Sequence, residues 1–322
     1  KTPGPGAAAA MNLPTGWFRT TGSNVVVAVV DSGILAHPDL PSGMPRLLPG
    51  YDFVDDDVYA NDGSRRDSDP TDPGDWVSTA DKTGDSARFG SCDVAVSSWH
   101  GTFIAGQIAA ATNTNAQGVA GLNWNAQILP VRVSGKCGAR VSDLLDGVRW
   151  AAGLPVTGLP ANANPARVIN VSFGGDRACS PAYQDTINAA TDAGALVVVA
   201  AGNSASALTR PADCQRVMAV AAVRKDGAKA DYSSFGPQVA LSAPGGSDEA
   251  GGVNLLLSTD NDGTTVPVNN GYGYKQGTSF AVPQAVGVAS LMLAVNGSLT
   301  PSALIERMRA GARSHENNPM LP

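Results

Sequence analysis

Five short apolar runs constrain most strongly what this chain can fold into. Residues 25–30, 127–133, 168–172, 195–200 and 217–223 are rich in β-branched side chains and do not alternate apolar with polar positions. An alternating strand has one wet face, whereas a continuous apolar run suits a strand buried on both faces, as in a parallel sheet covered by helices. Helical patterns at 100–111, 142–152 and 181–193 fall between the runs. Strand and helix therefore alternate, as right-handed βαβ units require. Two more helices are predicted at 279–295 and 301–310, the second with Thr300 as N-cap and Pro301 in its first turn. The expected fold class is α/β, three-layered, with a mainly parallel central sheet flanked by helices. A chain of 322 residues, 43% apolar and 16% charged, with no internal repeat or linker, suits one domain over 1–322.

The charge balance narrows the partners. A net charge of −6, with aspartates crowded between Asp52 and Asp75, argues against nucleic acid, which calls for a basic face. The apolar runs read as shorter than the roughly 18 residues of a membrane span. Residues 1–10, KTPGPGAAAA, have neither the order of a secretory signal nor a folding pattern and are expected to be a disordered, processed terminus. Cys92, Cys137, Cys179 and Cys214 are even in number and lack C-x-x-C spacing, which favours two disulfides and an oxidising, extracellular location over a zinc site.

The chemistry is concentrated in three segments, VVVAVVDSGI, SSWHGTFIAG and GYKQGTSFAVP. Of the histidines, His315 stands in the polar terminal tail and His37 precedes Pro38 in a turn, where a surface role is expected. His100 opens an apolar helix and is the natural general base. Asp31 closes a strand of apolar residues, where a carboxylate is costly unless a partner such as an imidazole N–H uses it. Ser279 begins a helix, whose N-terminal N–H groups stabilise developing negative charge. Acid, base and nucleophile thus appear in the order Asp, His, Ser. α/β-Hydrolases run Ser, Asp, His and chymotrypsin-like enzymes His, Asp, Ser, and a G-x-S-x-G elbow is absent here.

These segments, with VSFGG, VVAAGN, YSSFGP and SAPGG between and beyond them, resemble the subtilisin-like serine protease (subtilase) family in its secreted bacterial form. The family signatures are D-[ST]-G, H-G-T-x-x-A-G and G-T-S-x-A-x-P. The resemblance implies that Asn203 supplies the side-chain half of an oxyanion hole and the Ser279 N–H the other half. It implies that Ser172, Phe173 and Gly174 form one extended edge for substrate and the loop of Gly135 and Gly138 the other, so that a peptide adds as a strand. Ala200, Gly202 and Thr209 would line the main specificity pocket, whose nearest charges are Arg210 and Asp213; broad, mainly apolar preference is expected. Where many members carry a second histidine, this chain has Phe103, which should alter packing beneath the site and not the reaction.

Calcium is the expected cofactor. Asp62, Asp67, Asp69, Asp72 and Asp75 lie along a turning loop that would repel itself without a hard cation, which takes six to eight oxygens in tolerant geometry. By the family resemblance, Asp39 with Asn113 and Asn115 of the loop 112–119 form a second candidate site. Four cysteines allow three pairings. Cys92 with Cys137 would tether the acidic insertion beside the site, leaving Cys179 with Cys214 to brace the pocket. The expected protein is a secreted, monomeric serine endopeptidase that acts on proteins through an acyl-enzyme and is preceded by its own inhibitory propeptide.

Overall fold

The computed structural model describes residues 8–23, 25–40, 46–112, 116–248 and 254–314. In chain order the elements are α1 (Leu13–Arg19), β1 (Val26–Asp31), β2 (Tyr51–Asp52), α2 (Asp57–Ala60), α3 (Thr79–Gly84), α4 (Ser86–Phe89) and α5 (His100–Ala109). They continue with β3 (Gln127–Arg132), β4 (Ser134–Gly135), β5 (Gly138–Ala139), α6 (Val141–Ala151), β6 (Val168–Val171) and α7 (Pro181–Asp192). The last are β7 (Leu196–Ala200), β8 (Met218–Val223), β9 (Val239–Pro244), β10 (Leu256–Asn261), β11 (Asn270–Lys275), α8 (Thr278–Val295) and α9 (Pro301–Gly311).

The central sheet has seven strands in the order β2-β3-β1-β6-β7-β8-β9, every pair parallel. All five apolar runs are strands of it. Along β1, Val27 and Val29 face one apolar layer, built from Phe103, Ile104 and Ile108 of α5 and Ala281 to Ala289 of α8. Ala28 and Val30 face the other, with Leu144 and Val148 of α6 and Tyr183 and Ile187 of α7. Each apolar side chain of the strand therefore has a helix to bury against, which is why no polar position interrupts the run. The edge strands β2 and β9 escaped the sequence reading because one is two residues long and the other is only partly buried.

Helix α8 corrects the statement about span length. Its 18 residues are long and apolar enough for a membrane span by composition, yet 72% of it is buried inside the protein, as befits a core helix. Helix α9 begins as expected, with Thr300 accepting from Ala303 N. The N-terminal expectation also changes: Ala9 N donates to Lys225 O and Arg313 donates to the carbonyls of Ala8 and Ala10, so this stretch is tied to the fold. Residues 1–7, like His315, lie outside the described residues.

The acidic insertion is folded and not a bare loop. Asp56 caps α2, and Ser78 and Asp81 form a reciprocal capping box on α3. Beneath it Arg132, fully buried at the end of β3, pairs with Asp52, Asp62 and the Ala60 carbonyl. Arg66 adds pairs to Asp143 at 2.9 Å and Asp146 at 2.8 Å. Two disulfides, Cys92–Cys137 and Cys179–Cys214, form as anticipated, with sequence separations of 45 and 35. Constraining loops of that size stabilises by up to about 4 kcal/mol each in the chain-entropy account.

Removing one partner from a buried ion pair leaves an uncompensated charge, at a cost of about 3–5 kcal/mol. Arg132→Leu should therefore lower stability by that amount in chemical denaturation. Adding Asp52→Leu should recover part of the loss; a single variant as stable as the parent would show that Arg132 does not hold the insertion.

Candidate active site

The order of the strands creates the crevice. From β1 the chain crosses to β3 on one side and later returns to β6 on the other, and open α/β sheets bind ligands outside the carboxyl ends at such a switch point. Asp31 is the last residue of β1, Ser172 follows β6, and Asn203 follows β7. Facing them, His100 is the first residue of α5 and Ser279 the second of α8.

Asp31 is fully buried, and its Oδ1 accepts from the backbone N–H of Ser32 and from His100 Nδ1, each at 2.8 Å. A carboxylate can only accept, so this bond puts the imidazole proton on Nδ1 and leaves Nε2 as a base. The two elements approach closely because residue 101 is glycine: a Cβ there would lie 2.2 Å from the Gly33 carbonyl oxygen. Trp99, immediately before His100, is held in the left-handed region at φ 48, with its indole N–H donated to Gly263 O at 2.8 Å. A bulky side chain rarely adopts that conformation, so the turn that presents His100 is paid for by the burial of Trp99.

Behind the pair lies a connection that sequence reasoning missed. Ser32 Oγ donates to Asp72 Oδ2 at 2.7 Å and accepts from Gly101 N at 3.1 Å, linking both neighbours of the Asp31–His100 pair to the acidic insertion. Burial pushes the Asp72 carboxyl up to about 7, and the charge of Asp75 adds to the effect.

The end of α8 is organised by a missing donor. Pro283 has no N–H, so the carbonyl four residues before it, that of Ser279, is free of the helix ladder. It accepts from Ser172 Oγ at 2.9 Å, while Ser279 Oγ donates to Ser172 O at 3.1 Å. The Ser279 N–H, in the first turn, has no intrahelical acceptor and points out of the helix end. Asn203 Oδ1 accepts from Thr278 N at 2.9 Å and Thr278 Oγ1 at 2.8 Å, which turns its Nδ2 outward as a donor. Thr278, also missed, is fully buried and accepts in turn from Gly202 N at 3.2 Å. His100 stacks between Phe173 and Phe280 at ring distances of 5.7 and 5.2 Å. Phe103 packs on Phe280 at 4.8 Å beneath the site, as the sequence suggests.

Thr209 Oγ1 donates to Gly175 O at 2.6 Å and Gly175 N donates to Arg210 O at 2.9 Å, which ties the Thr209–Arg210 segment to the chain just after Gly174. The two nearby charges are engaged elsewhere: Arg210 lies over the Tyr183 ring at 5.3 Å and Asp213 accepts from Cys179 N at 2.8 Å. Gly135 and Gly138 pair in the small β4–β5 hairpin, which the Cys92–Cys137 disulfide fixes.

The predicted calcium set does not converge. Asp62 pairs with Arg132, Asp72 with Ser32, and Asp75 with Ser98, while Asp67 and Asp69 each accept a backbone N–H two residues on. Among the described residues the one cluster of metal-ligating type is Cys179, Asp213 and Cys214, whose sulfurs are consumed in the disulfide. Among the described residues, Asp62 is the one member of this set that pairs with an arginine, Arg132, whereas Arg66 pairs with Asp55, Asp143 and Asp146. Asp39 does bind the loop after α5, accepting from Val119 N at 2.8 Å; Asn113 and Asn115 lie outside the described residues. His37 is buried and not a surface residue: Nδ1 accepts from Asp39 N at 3.0 Å, Nε2 donates to Gly271 O at 2.9 Å, and burial pushes its pKa down.

Lys136, between the paired glycines of the hairpin, contacts Asp81 at 2.8 Å. Although burial raises the Asp81 carboxyl, hydrogen bonds from Lys136 and Ser78 outweigh it and hold the pKa at about 2. A depressed carboxylate contributes stability above its unfolded pKa that is lost as pH falls through the folded value. Stability should thus decline between about pH 4 and pH 2. Asp81→Asn should flatten that decline in acid denaturation; an unchanged profile would exclude the pair as a contributor.

Residues 22–319 match the model of the subtilase family. The extracellular protease of Xanthomonas campestris pv. campestris is 46% identical over 309 residues, covering 95% of this chain and 50% of that protein. The extracellular basic protease of Dichelobacter nodosus is 44% identical over 297 residues, covering 89% and 47% respectively. The chain thus spans about half the length of these curated relatives. A solved structure of a protease from Pseudoalteromonas arctica superposes with a TM-score of 0.89 at 43% identity, over 96% of this chain and 89% of that one. The parallel sheet with its crevice at the carboxyl end of β1 is therefore a subtilisin-like fold, and the chain belongs to the subtilase family.

Proposed function

We propose that this chain is a secreted serine endopeptidase in which Ser279 is the nucleophile, His100 the general base and Asp31 the group that orients and stabilises the imidazolium. The observation that carries the reading is the hydrogen bond at 2.8 Å from His100 to the fully buried Asp31, together with Ser279, partly exposed in the otherwise buried first turn of α8. Rotation of Ser279 Oγ from the Ser172 carbonyl would turn it toward His100 Nε2, which takes its proton as the oxygen attacks a peptide carbonyl. The oxyanion is met by Asn203 Nδ2 and the Ser279 N–H, donors already oriented before reaction. The imidazolium then protonates the departing amine, and water hydrolyses the acyl-enzyme by the same base.

The crevice near Ser172, Phe173, Gly174, Ala200, Gly202 and Thr209 has its charges turned to other partners, which supports a broad, apolar preference on the acyl side. Secretion agrees with the relatives' being named extracellular proteases and with two disulfides, which persist in oxidising compartments. A propeptide before maturation and a monomeric working form complete the reading. Subtilases typically hold calcium as a structural ion, and the reaction proposed for this chain runs on Asp31, His100, Ser279 and Asn203.

A fluorophosphonate should label the protein at Ser279 and fail to label Ser279→Ala; labelling of both would remove Ser279 as nucleophile. Asn203→Ala should lower kcat by about 10²–10³-fold, the scale known for loss of this donor in the same enzyme family. Thr278→Val loses the hydroxyl that orients Asn203 and should lower kcat by about 2–13-fold, the worth of one hydrogen bond. Thr278→Ser should restore the rate. A kcat unchanged in Thr278→Val would separate Thr278 from the oxyanion site.

A further inference from the structure

A cavity of about 590 Å³ opens beside His100, away from the acyl-side edges. Its lining shares His100 and Phe280 with the crevice but includes neither Ser172, Gly174 nor Asn203. One wall is the segment Val96–Trp99, and the other is the tip of the β10–β11 hairpin. The walls are fixed to one another, since Ser97 N donates to Thr264 O at 2.9 Å and Trp99 Nε1 to Gly263 O at 2.8 Å. The site is therefore preformed, with an apolar floor of Trp99 and Phe280 and with Val96 63% exposed at its mouth.

The charges on this cavity are unevenly committed. Lys275 is held at 2.9 Å by Asp260, donates to Ser98 O at 2.6 Å, and lies 4.9 Å over the Phe103 ring. Asp75, behind the first wall, accepts from Ser98 N and Oγ at 2.6 Å each. Asp262 is exposed and has no cationic partner among the described residues. Its two oxygens accept from Asn269 N at 2.8 Å and Asn269 Nδ2 at 3.0 Å, bonds that hold the carboxyl below the usual range and fix its direction.

We propose that this cavity receives the leaving-group side of the substrate and that Asp262 selects a cationic residue, Arg or Lys, within the first two positions after the scissile bond. The inference rests on the endopeptidase reading above: His100 must hand its proton to the departing amine, so the chain that bears this amine leaves along the His100 side, where the cavity lies. The acyl side stays apolar while the leaving side reads charge. An exposed carboxylate gives only a modest preference, about two- to five-fold in kcat/KM, and one that salt screens.

The test is a peptide series of fixed acyl side with Arg, Ala or Glu in each of those two positions, with products identified by mass spectrometry. The parent should favour Arg over Glu by about two- to five-fold or more. The Arg/Glu ratio should fall toward one in Asp262→Asn and invert in Asp262→Lys. A ratio equal in all three proteins would overturn the proposal while leaving the endopeptidase reading intact, whereas no cleavage of any peptide by the parent would overturn that reading itself. If a variant fails to fold, the parent alone decides: the ratio should shrink as ionic strength rises, and a ratio above one that ignores salt would assign the preference to something other than Asp262.

Discussion

Everything in this site depends on placing one carboxylate where water does not reach. Asp31 ends β1, an interior strand of a seven-stranded parallel sheet, fully buried, and only donors that arrive in fixed positions make such burial tolerable. The Ser32 N–H is supplied by the chain's own turn and the second donor by His100. The glycine after His100 and the strained turn at Trp99 follow from that requirement, because α5 must begin almost in contact with the end of β1. The rigidity of the base is a consequence of the sheet, since side chains packed from both layers hold β1 in register with β3 and β6.

The opposite rim is built by a complementary device. Pro283 removes one helical donor, and the freed Ser279 carbonyl is taken by Ser172 at the end of β6. The proposed nucleophile and the proposed substrate edge are thereby joined across 107 residues of sequence. Thr278 likewise ties Asn203, after β7, to the helix end. Three strand ends and two helix starts thus meet through short hydrogen bonds, buried or partly buried, which is the kind of preorganisation that lowers the cost of stabilising an oxyanion.

The strands and main helices were legible because burial on both faces leaves a continuous apolar run, and Asp31, His100 and Ser279 stood out as a set, at one strand end and two helix starts, in an order that resembles the subtilases. The two disulfides followed from the parity of the cysteines and the placing of their segments. What escaped has a common cause: partners distant in sequence. Arg132 reads as one polar residue in a strand, and nothing local says that Asp52 and Asp62 will close on it. The aspartates suggest a cation site because their mutual repulsion is visible in the sequence, whereas the pairing of Asp52 and Asp62 with Arg132 is not. His37 reads as a turn residue on the surface because its partner, the Gly271 carbonyl of β11, lies 234 residues away. The Asp72–Ser32 bond, 40 residues apart, was hidden in the same way.

If Asp31, His100 and Ser279 act as one device, the effects of removing them should be strongly non-additive. Groups that work as a unit lose nearly all of their effect when one is removed, so further removals cost little. Measuring kcat for Ser279→Ala, His100→Ala and the triple variant with Asp31→Ala should give nearly the same residual rate in all three. Losses that multiply from single to triple variant would contradict the account, because they would mean that the three side chains act independently.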